Sequence, residues 1–105
     1  LQVRRVTGDW IDVPYIQDCF VMNTGEVLRH WSNGRLLATP HRVVNRTGKE
    51  RYSCPFFFDP NIHSRISTLP SCVDTEEQSK YSDTVFGDMV MNHLRSNHDQ
   101  HTENN

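Results

Sequence analysis

Three side chains stand at a spacing that could do chemistry. His41 lies within Thr39-Pro40-His41-Arg42-Val43-Val44-Asn45, and ten positions later Arg51 and Ser53 head the run Arg51-Tyr52-Ser53-Cys54. In an extended strand alternate residues share a face, so Arg51 and Ser53 lie on one side and Tyr52 and Cys54 on the other. Pair the two stretches as a hairpin across Arg46 to Glu50, with Asn45 opposite Arg51, and Val43 falls opposite Ser53 and His41 opposite Pro55. His41, Arg51 and Ser53 then face the same side, with Ser53 about 7 Å along the ladder from the level of His41. A small dicarboxylate fits that gap, one end near the imidazole and the other on the guanidinium and hydroxyl. The arrangement depends on register, since a slip of one residue turns Arg51 and Ser53 to the face opposite His41.

The elements that must position these residues read as β structure from Leu1 to Phe58. Short apolar runs are broken by turn chemistry, and no helical period is sustained. The expected strands are Leu1 to Val6, Trp10 to Val13, Cys19 to Asn23, Val27 to Trp31, Arg35 to Thr39, His41 to Asn45 and Arg51 to Phe58. Ser32-Asn33-Gly34 is the strongest hairpin signal, because Asn-Gly suits the two left-handed positions of a type I′ turn. Many short strands with frequent turns predict an antiparallel sandwich or barrel. Beyond Asp59-Pro60-Asn61 the character changes. Residues 61–81 read as a loop. A helix is expected over 82–96, capped by Ser82 or Asp83, with Val85, Phe86, Met89, Val90, His93 and Leu94 at three-to-four spacing. Residues 97–105 form a polar tail without period, expected to be disordered.

Composition narrows the function classes. The 105 residues allow one domain, which excludes a multidomain enzyme. A net charge of -2, from 13 acidic against 11 basic residues, leaves no excess field to hold a polyanion, so nucleic acid is not an expected partner. Nine of the basic residues are arginine, which tilts towards bidentate recognition of carboxylates or phosphates. No apolar run approaches the roughly 20 residues that cross a bilayer, and no signal-peptide pattern opens the chain, so a cytoplasmic protein without a membrane partner is expected. Cys19, Cys54 and Cys72 are odd in number and widely spaced without a CxxC pair, which predicts free buried thiols. The sequence starts at Leu1 directly on a strand-like run, as a piece of something longer would.

Taken together, Asn23-Thr24-Gly25-Glu26-Val27-Leu28, Trp31-Ser32-Asn33-Gly34, Thr39-Pro40-His41-Arg42-Val43-Val44-Asn45 and Arg51-Tyr52-Ser53-Cys54-Pro55-Phe56-Phe57-Phe58-Asp59-Pro60 closely resemble the C-terminal part of the isopenicillin N synthase-like family of Fe(II)/2-oxoglutarate-dependent dioxygenases. The resemblance runs from Leu1 to about Pro60, and the helix from Asp83 to Ser96 is similar to the family's closing helix. It implies that residues 1–60 are the C-terminal half of a double-stranded β-helix, or jelly roll, a mainly β fold followed by one C-terminal α-helix. It also implies that His41 is the later of two histidine ligands to Fe(II), and that Arg51 and Ser53 bind the distal carboxylate of 2-oxoglutarate. Two histidines and one carboxylate on one face of an iron leave positions for cosubstrate and oxygen. Arginine suits the distal carboxylate because its planar fork donates two parallel charge-assisted bonds. The implied reaction hydroxylates or desaturates a small organic substrate, with decarboxylation of 2-oxoglutarate to succinate.

The family's HxD pair would precede Leu1, so iron and 2-oxoglutarate would both need an upstream segment of the same enzyme or a complementing chain. The one HxD/E match, His101-Thr102-Glu103, follows the Arg51-Tyr52-Ser53 motif in the polar tail and is not taken as a ligand pair. Two alternatives stay open: a noncatalytic truncated β-module that lacks the HxD ligands, and an oxidase in which Arg51 and Ser53 hold the substrate carboxylate. Taken singly, each residue has a plainer reading. A strand histidine is usually a satisfied structural residue, and Arg51 and Ser53 would be surface polar groups. His30, His63, His93, His98 and His101 have no motif around them. Phe56, Phe57 and Phe58, with Trp10 and Trp31, read first as core, and Cys54 as inert packing.

Overall fold

The computed structural model describes residues 1–74 and 78–102. Five of its eight elements are short strands, in two antiparallel sheets, and α-helices lie between and after them. The first sheet is built from β1 (Gln2–Arg4), β2 (Trp10–Asp12) and β3 (His41–Arg42), in the order β2-β1-β3. Thr7-Gly8-Asp9 makes the expected turn. Gly8 takes φ 98°, which a side chain would resist, the Arg5 N–H donates to the Asp9 carbonyl at 2.8 Å, and the Thr7 hydroxyl donates to the Asp9 carboxylate at 2.9 Å.

Register assigns the faces of this sheet. Val3 lies opposite both Ile11 and His41, and Gln2 opposite both Asp12 and Arg42. Opposed residues share a side, so Val3, Ile11 and His41 occupy one face, and Gln2, Arg4, Trp10, Asp12 and Arg42 the other. The second face is tied by a cross-strand chain. Gln2 Nε2 donates to the Asp12 carboxylate at 3.0 Å, Arg42 Nε donates to Gln2 Oε1 at 2.9 Å, and the Arg42 guanidinium lies 4.1 Å from the centre of the Trp10 ring. Gln2 is buried with both amide ends satisfied, as a buried amide requires.

The stretch Val27 to Trp31, expected as a strand, is helical: α1 spans Glu26–Trp31. Charge and closure explain it. Glu26 sits in the first turn and Arg29 and His30 in the last, each sign complementing its end of the helix dipole. Asn33 and Gly34 do adopt the two left-handed conformations that Asn-Gly favours, with φ 55° and 81°, but they close a helix instead of a hairpin. The Gly34 N–H donates to the Arg29 carbonyl at 2.8 Å and the Asn33 N–H to the His30 carbonyl at 3.1 Å, the paired bonds of a Schellman motif.

The segment 61–81, expected to be a loop, contains β4 (Arg65–Ile66) and a 3-10 turn over Pro70–Cys72. β4 pairs with β5 (Thr84–Val85), Arg65 opposite Val85 and Ile66 opposite Thr84. Ile66 is the fully buried apolar side chain of this layer. α1 docks here: the Leu69 N–H donates to the Trp31 carbonyl at 3.0 Å, the Thr68 hydroxyl to the His30 carbonyl at 3.2 Å, and the Lys80 N–H to Asn33 Oδ1 at 2.9 Å. α2 spans Phe86–Thr102. It starts later than expected because Thr84 and Val85 are held in the sheet and Asp83 is engaged by Arg65, so neither Ser82 nor Asp83 caps it. It also continues past Ser96, so residues 97–102 are helical, while 103–105 lie outside the described residues. Among the described residues no helix is long and apolar enough to cross a membrane.

Candidate functional site

His41 opens β3 and is exposed, on the sheet face it shares with Val3 and Ile11. Its Nδ1 lies 3.2 Å from the Thr39 carbonyl oxygen. A carbonyl only accepts, so this bond places the proton on Nδ1 and leaves the Nε2 lone pair as the ring's donor site. A backbone carbonyl holding one ring nitrogen while the other binds metal is the usual support of a histidine ligand.

The expected ladder between His41 to Asn45 and Arg51 to Phe58 is not formed. β3 ends at Arg42, and residues 51–60 take no strand structure. The connecting turn is nevertheless built. Asn45 Oδ1 accepts from the Thr47 N–H at 3.2 Å, Asn45 Nδ2 donates to the Lys49 carbonyl at 2.8 Å, and Gly48 takes φ 65°. The arms therefore leave a closed turn without pairing. His41, Arg51 and Ser53 each stand exposed, and no ladder joins them.

Beside them the Tyr52 hydroxyl donates to the Glu50 carboxylate at 2.7 Å, which raises the phenol above its usual range because ionisation would cost that bond. Phe56, Phe57 and Phe58 are exposed, not core. The cysteines are free as expected, but Cys19 and Cys54 are exposed and Cys72 half-buried, which corrects the expectation of buried thiols.

The sequence reading passed over His30, which is buried on α1 with its ring stacked on Tyr81 at 5.1 Å. Its Nε2 has no hydrogen-bond partner among the described residues. Next to it, Arg29 Nε donates to the Tyr81 hydroxyl at 3.1 Å and Arg29 Nη1 to the Glu26 carboxylate at 3.2 Å. Recognising α1 as a helix would have put Glu26 and Arg29 one turn apart on a single face.

The sequence model of the 2OG-Fe(II) oxygenase superfamily matches residues 1–60. A 2-oxoglutarate-Fe(II) type oxidoreductase of Emericella nidulans is 39% identical over 84 residues, which cover 80% of this chain and 24% of that protein. A feruloyl CoA ortho-hydroxylase of Ipomoea batatas is 34% identical over 94% of this chain and 28% of its own length. A homoarginine-6-hydroxylase of Oryza sativa subsp. japonica is 35% identical over 92% of this chain and 30% of its own. The chain belongs to the 2OG-Fe(II) oxygenase superfamily. It spans between about a quarter and a third of the length of these relatives.

Iron is the metal this family implies. Among the described residues, no three histidine, cysteine, aspartate or glutamate side chains converge to hold a metal ion. His41, with its tautomer set by Thr39, fits one coordination position. His101 and Thr102 fall in α2, and Glu103 lies outside the described residues.

Proposed function

We propose that this chain is the C-terminal part of the catalytic domain of a non-haem Fe(II)/2-oxoglutarate-dependent dioxygenase, and that the completed domain is a jelly roll. In this reading His41 supplies one iron ligand through Nε2, and Arg51 and Ser53 hold the distal carboxylate of 2-oxoglutarate. Bound iron would activate oxygen for the oxidation of a small organic substrate, with 2-oxoglutarate decarboxylated to succinate. The supporting observation is the co-occurrence of His41, its proton fixed on Nδ1 by the Thr39 carbonyl, with an uncommitted Arg51 and Ser53 beyond a closed turn, in a chain of this superfamily.

The roles follow from the side chains. Nε2 is a neutral nitrogen donor of the kind Fe(II) accepts. The Arg51 fork can give a carboxylate two parallel bonds, and Ser53, on the same side of an extended chain, a third. Zipping the arms beyond the Asn45 to Lys49 turn in the register that sets Asn45 opposite Arg51 would bring all three to one face. The upstream segment is the partner this reading requires, since it would carry the HxD pair and the neighbouring strands. A cytoplasmic enzyme acting without nucleic acid or membrane partners fits the charge and hydropathy of the sequence.

Co-expression with the upstream segment tests the proposal. Metal affinity, cooperative folding and succinate release are expected to appear together, and His41→Ala to abolish the first and third. A monodisperse chain that gains neither iron affinity nor succinate production from that segment would point to the noncatalytic module. Substrate oxidation without succinate would point to the oxidase.

A further inference from the structure

Beside the segment that leads into His41, one cleft gathers charge of a single sign. It lies where the β1–β2 turn, the start of α1's last turn and the segment leading into β3 meet. Its volume is about 360 Å³, within the range of small-molecule sites. Arg4, Arg5 and Arg29 line it, with Leu37, Ala38 and Pro40 as an apolar wall, and no aspartate or glutamate is among its lining residues.

The three guanidinium groups are committed to different degrees. Arg4 Nε donates to the Gly8 carbonyl at 3.2 Å, and its terminal nitrogens make no hydrogen bond among the described residues. Arg29 is braced from behind by the Tyr81 hydroxyl and by Glu26, which offsets its charge. The Arg5 side chain makes no hydrogen bond or ion pair among the described residues. Arg4 and Arg5 thus bring to one cleft two guanidinium groups that no carboxylate lining the cleft offsets, beside a third, braced arginine. Guanidinium groups at a concavity recognise an anion through parallel charge-assisted bonds to its oxygens, and a dianion matches two of them.

We infer that this cleft binds the phosphate group of a small phosphorylated ligand, with the Arg4 and Arg5 forks on the phosphate oxygens and the apolar wall against the body that carries it. None of His41, Arg51 and Ser53 lines the cleft, though Thr39, whose carbonyl holds His41, does, so binding here is read separately from the proposed reaction. It also gives the arginine bias of the composition a place in the fold.

Calorimetry on the full-length protein, without iron or 2-oxoglutarate and at constant ionic strength, tests the assignment with inorganic phosphate, phenyl phosphate and benzoate as probes. Phenyl phosphate is expected to bind one-to-one and more tightly than inorganic phosphate, because only it uses the apolar wall. Arg5→Gln should weaken it about tenfold or more, the loss of a charge-assisted hydrogen bond. The Arg5 side chain is exposed and makes no hydrogen bond or ion pair among the described residues, so this variant should keep the parent melting temperature, and Arg4→Gln provides an independent second variant. Absence of saturable phosphate binding, or binding unchanged in both variants, overturns the inference. Benzoate binding as tightly as phenyl phosphate overturns the phosphate assignment.

Discussion

At the residue scale, the proposed chemistry rests on groups that the described structure leaves uncommitted. Arg51 is the sharpest to test. Arg51→Lys keeps the charge and loses the planar fork, so in the full-length protein 2-oxoglutarate should bind more weakly by about 1 to 3 kcal/mol. Titrating turnover against 2-oxoglutarate reads this directly, and an unchanged dependence would remove Arg51 from the cosubstrate site. His41 differs in that the local support its proposed role needs is in place: the Thr39 carbonyl sets the tautomer. His41 was singled out by the motif around it and by the resemblance that motif carries, not by this bond. The convergence of His41 with Arg51 and Ser53 depends on strand pairing, and pairing is a property of neighbours.

At the element scale, the second layer is held by close approaches that sequence patterns do not report. Gly87 is one. A Cβ there would stand 2.9 Å from Ile62 Cγ1 and 3.0 Å from the Ile62 carbonyl oxygen, the same oxygen that accepts the Gly87 N–H at 2.8 Å. Gly87→Ala should therefore destabilise the joint of β5 and α2 by about 1 to 3 kcal/mol, the usual cost of overpacking, seen as a lower melting temperature.

The Arg65–Asp83 pair clamps the β4–β5 end of this layer. The hydrogen bond from Arg65, then one from Ser67, holds the Asp83 carboxyl below its ordinary range. A depressed folded value means that the clamp is fully present above the ordinary carboxylate range and is lost as pH falls through the lower folded value. On falling pH the Asp83 carboxyl resonance should titrate late, and Arg65→Gln should move it towards the ordinary position, with the Ser67 bond still holding it below.

These elements also mark the limit of the sequence reading. β1, β2 and the Thr7 to Asp9 turn were legible, because alternation and turn chemistry agree there. Val27 to Trp31 was misread because five residues are too few to separate the two periods, and the Asn-Gly signal specifies left-handed backbone without saying what it closes. The helix over Phe86–Thr102 was legible in kind, but β5 took its expected cap.

At the scale of the whole molecule, the chain is expanded. Its radius of gyration is 16.7 Å, against about 13 Å for a compact domain of this length. Phe56, Phe57 and Phe58, which read as core, are instead outside, Phe58 at 95% exposed, while Trp10 and Trp31 are half-buried. Apolar surface and unpaired backbone on this scale favour association. The isolated chain is expected to self-associate in sedimentation velocity at micromolar concentration and, under the proposed reading, to stop doing so when an upstream segment carrying the HxD pair is supplied. A monodisperse isolated chain would show that its apolar stretches find their own cover. The jelly-roll expectation belongs to this scale as well: residues 43–60 take no strand structure, and the described strands form one three-stranded and one two-stranded sheet.

The closure of α1 carries a consequence for chemical ageing. Asn-Gly is the dipeptide most prone to deamidation, in which the glycine nitrogen attacks the asparagine side-chain carbonyl, ammonia leaves, and hydrolysis of the cyclic imide yields aspartate or isoaspartate. In Asn33-Gly34 both partners are occupied: the Gly34 N–H is given to the Arg29 carbonyl, and Asn33 Oδ1 accepts from the Lys80 N–H. The fold that uses this pair as a helix stop thus also protects it. Loss of the Asn33 amide, followed by peptide mass spectrometry over storage, should act as a slow clock of how often α1 opens, running faster wherever α1 is loosened.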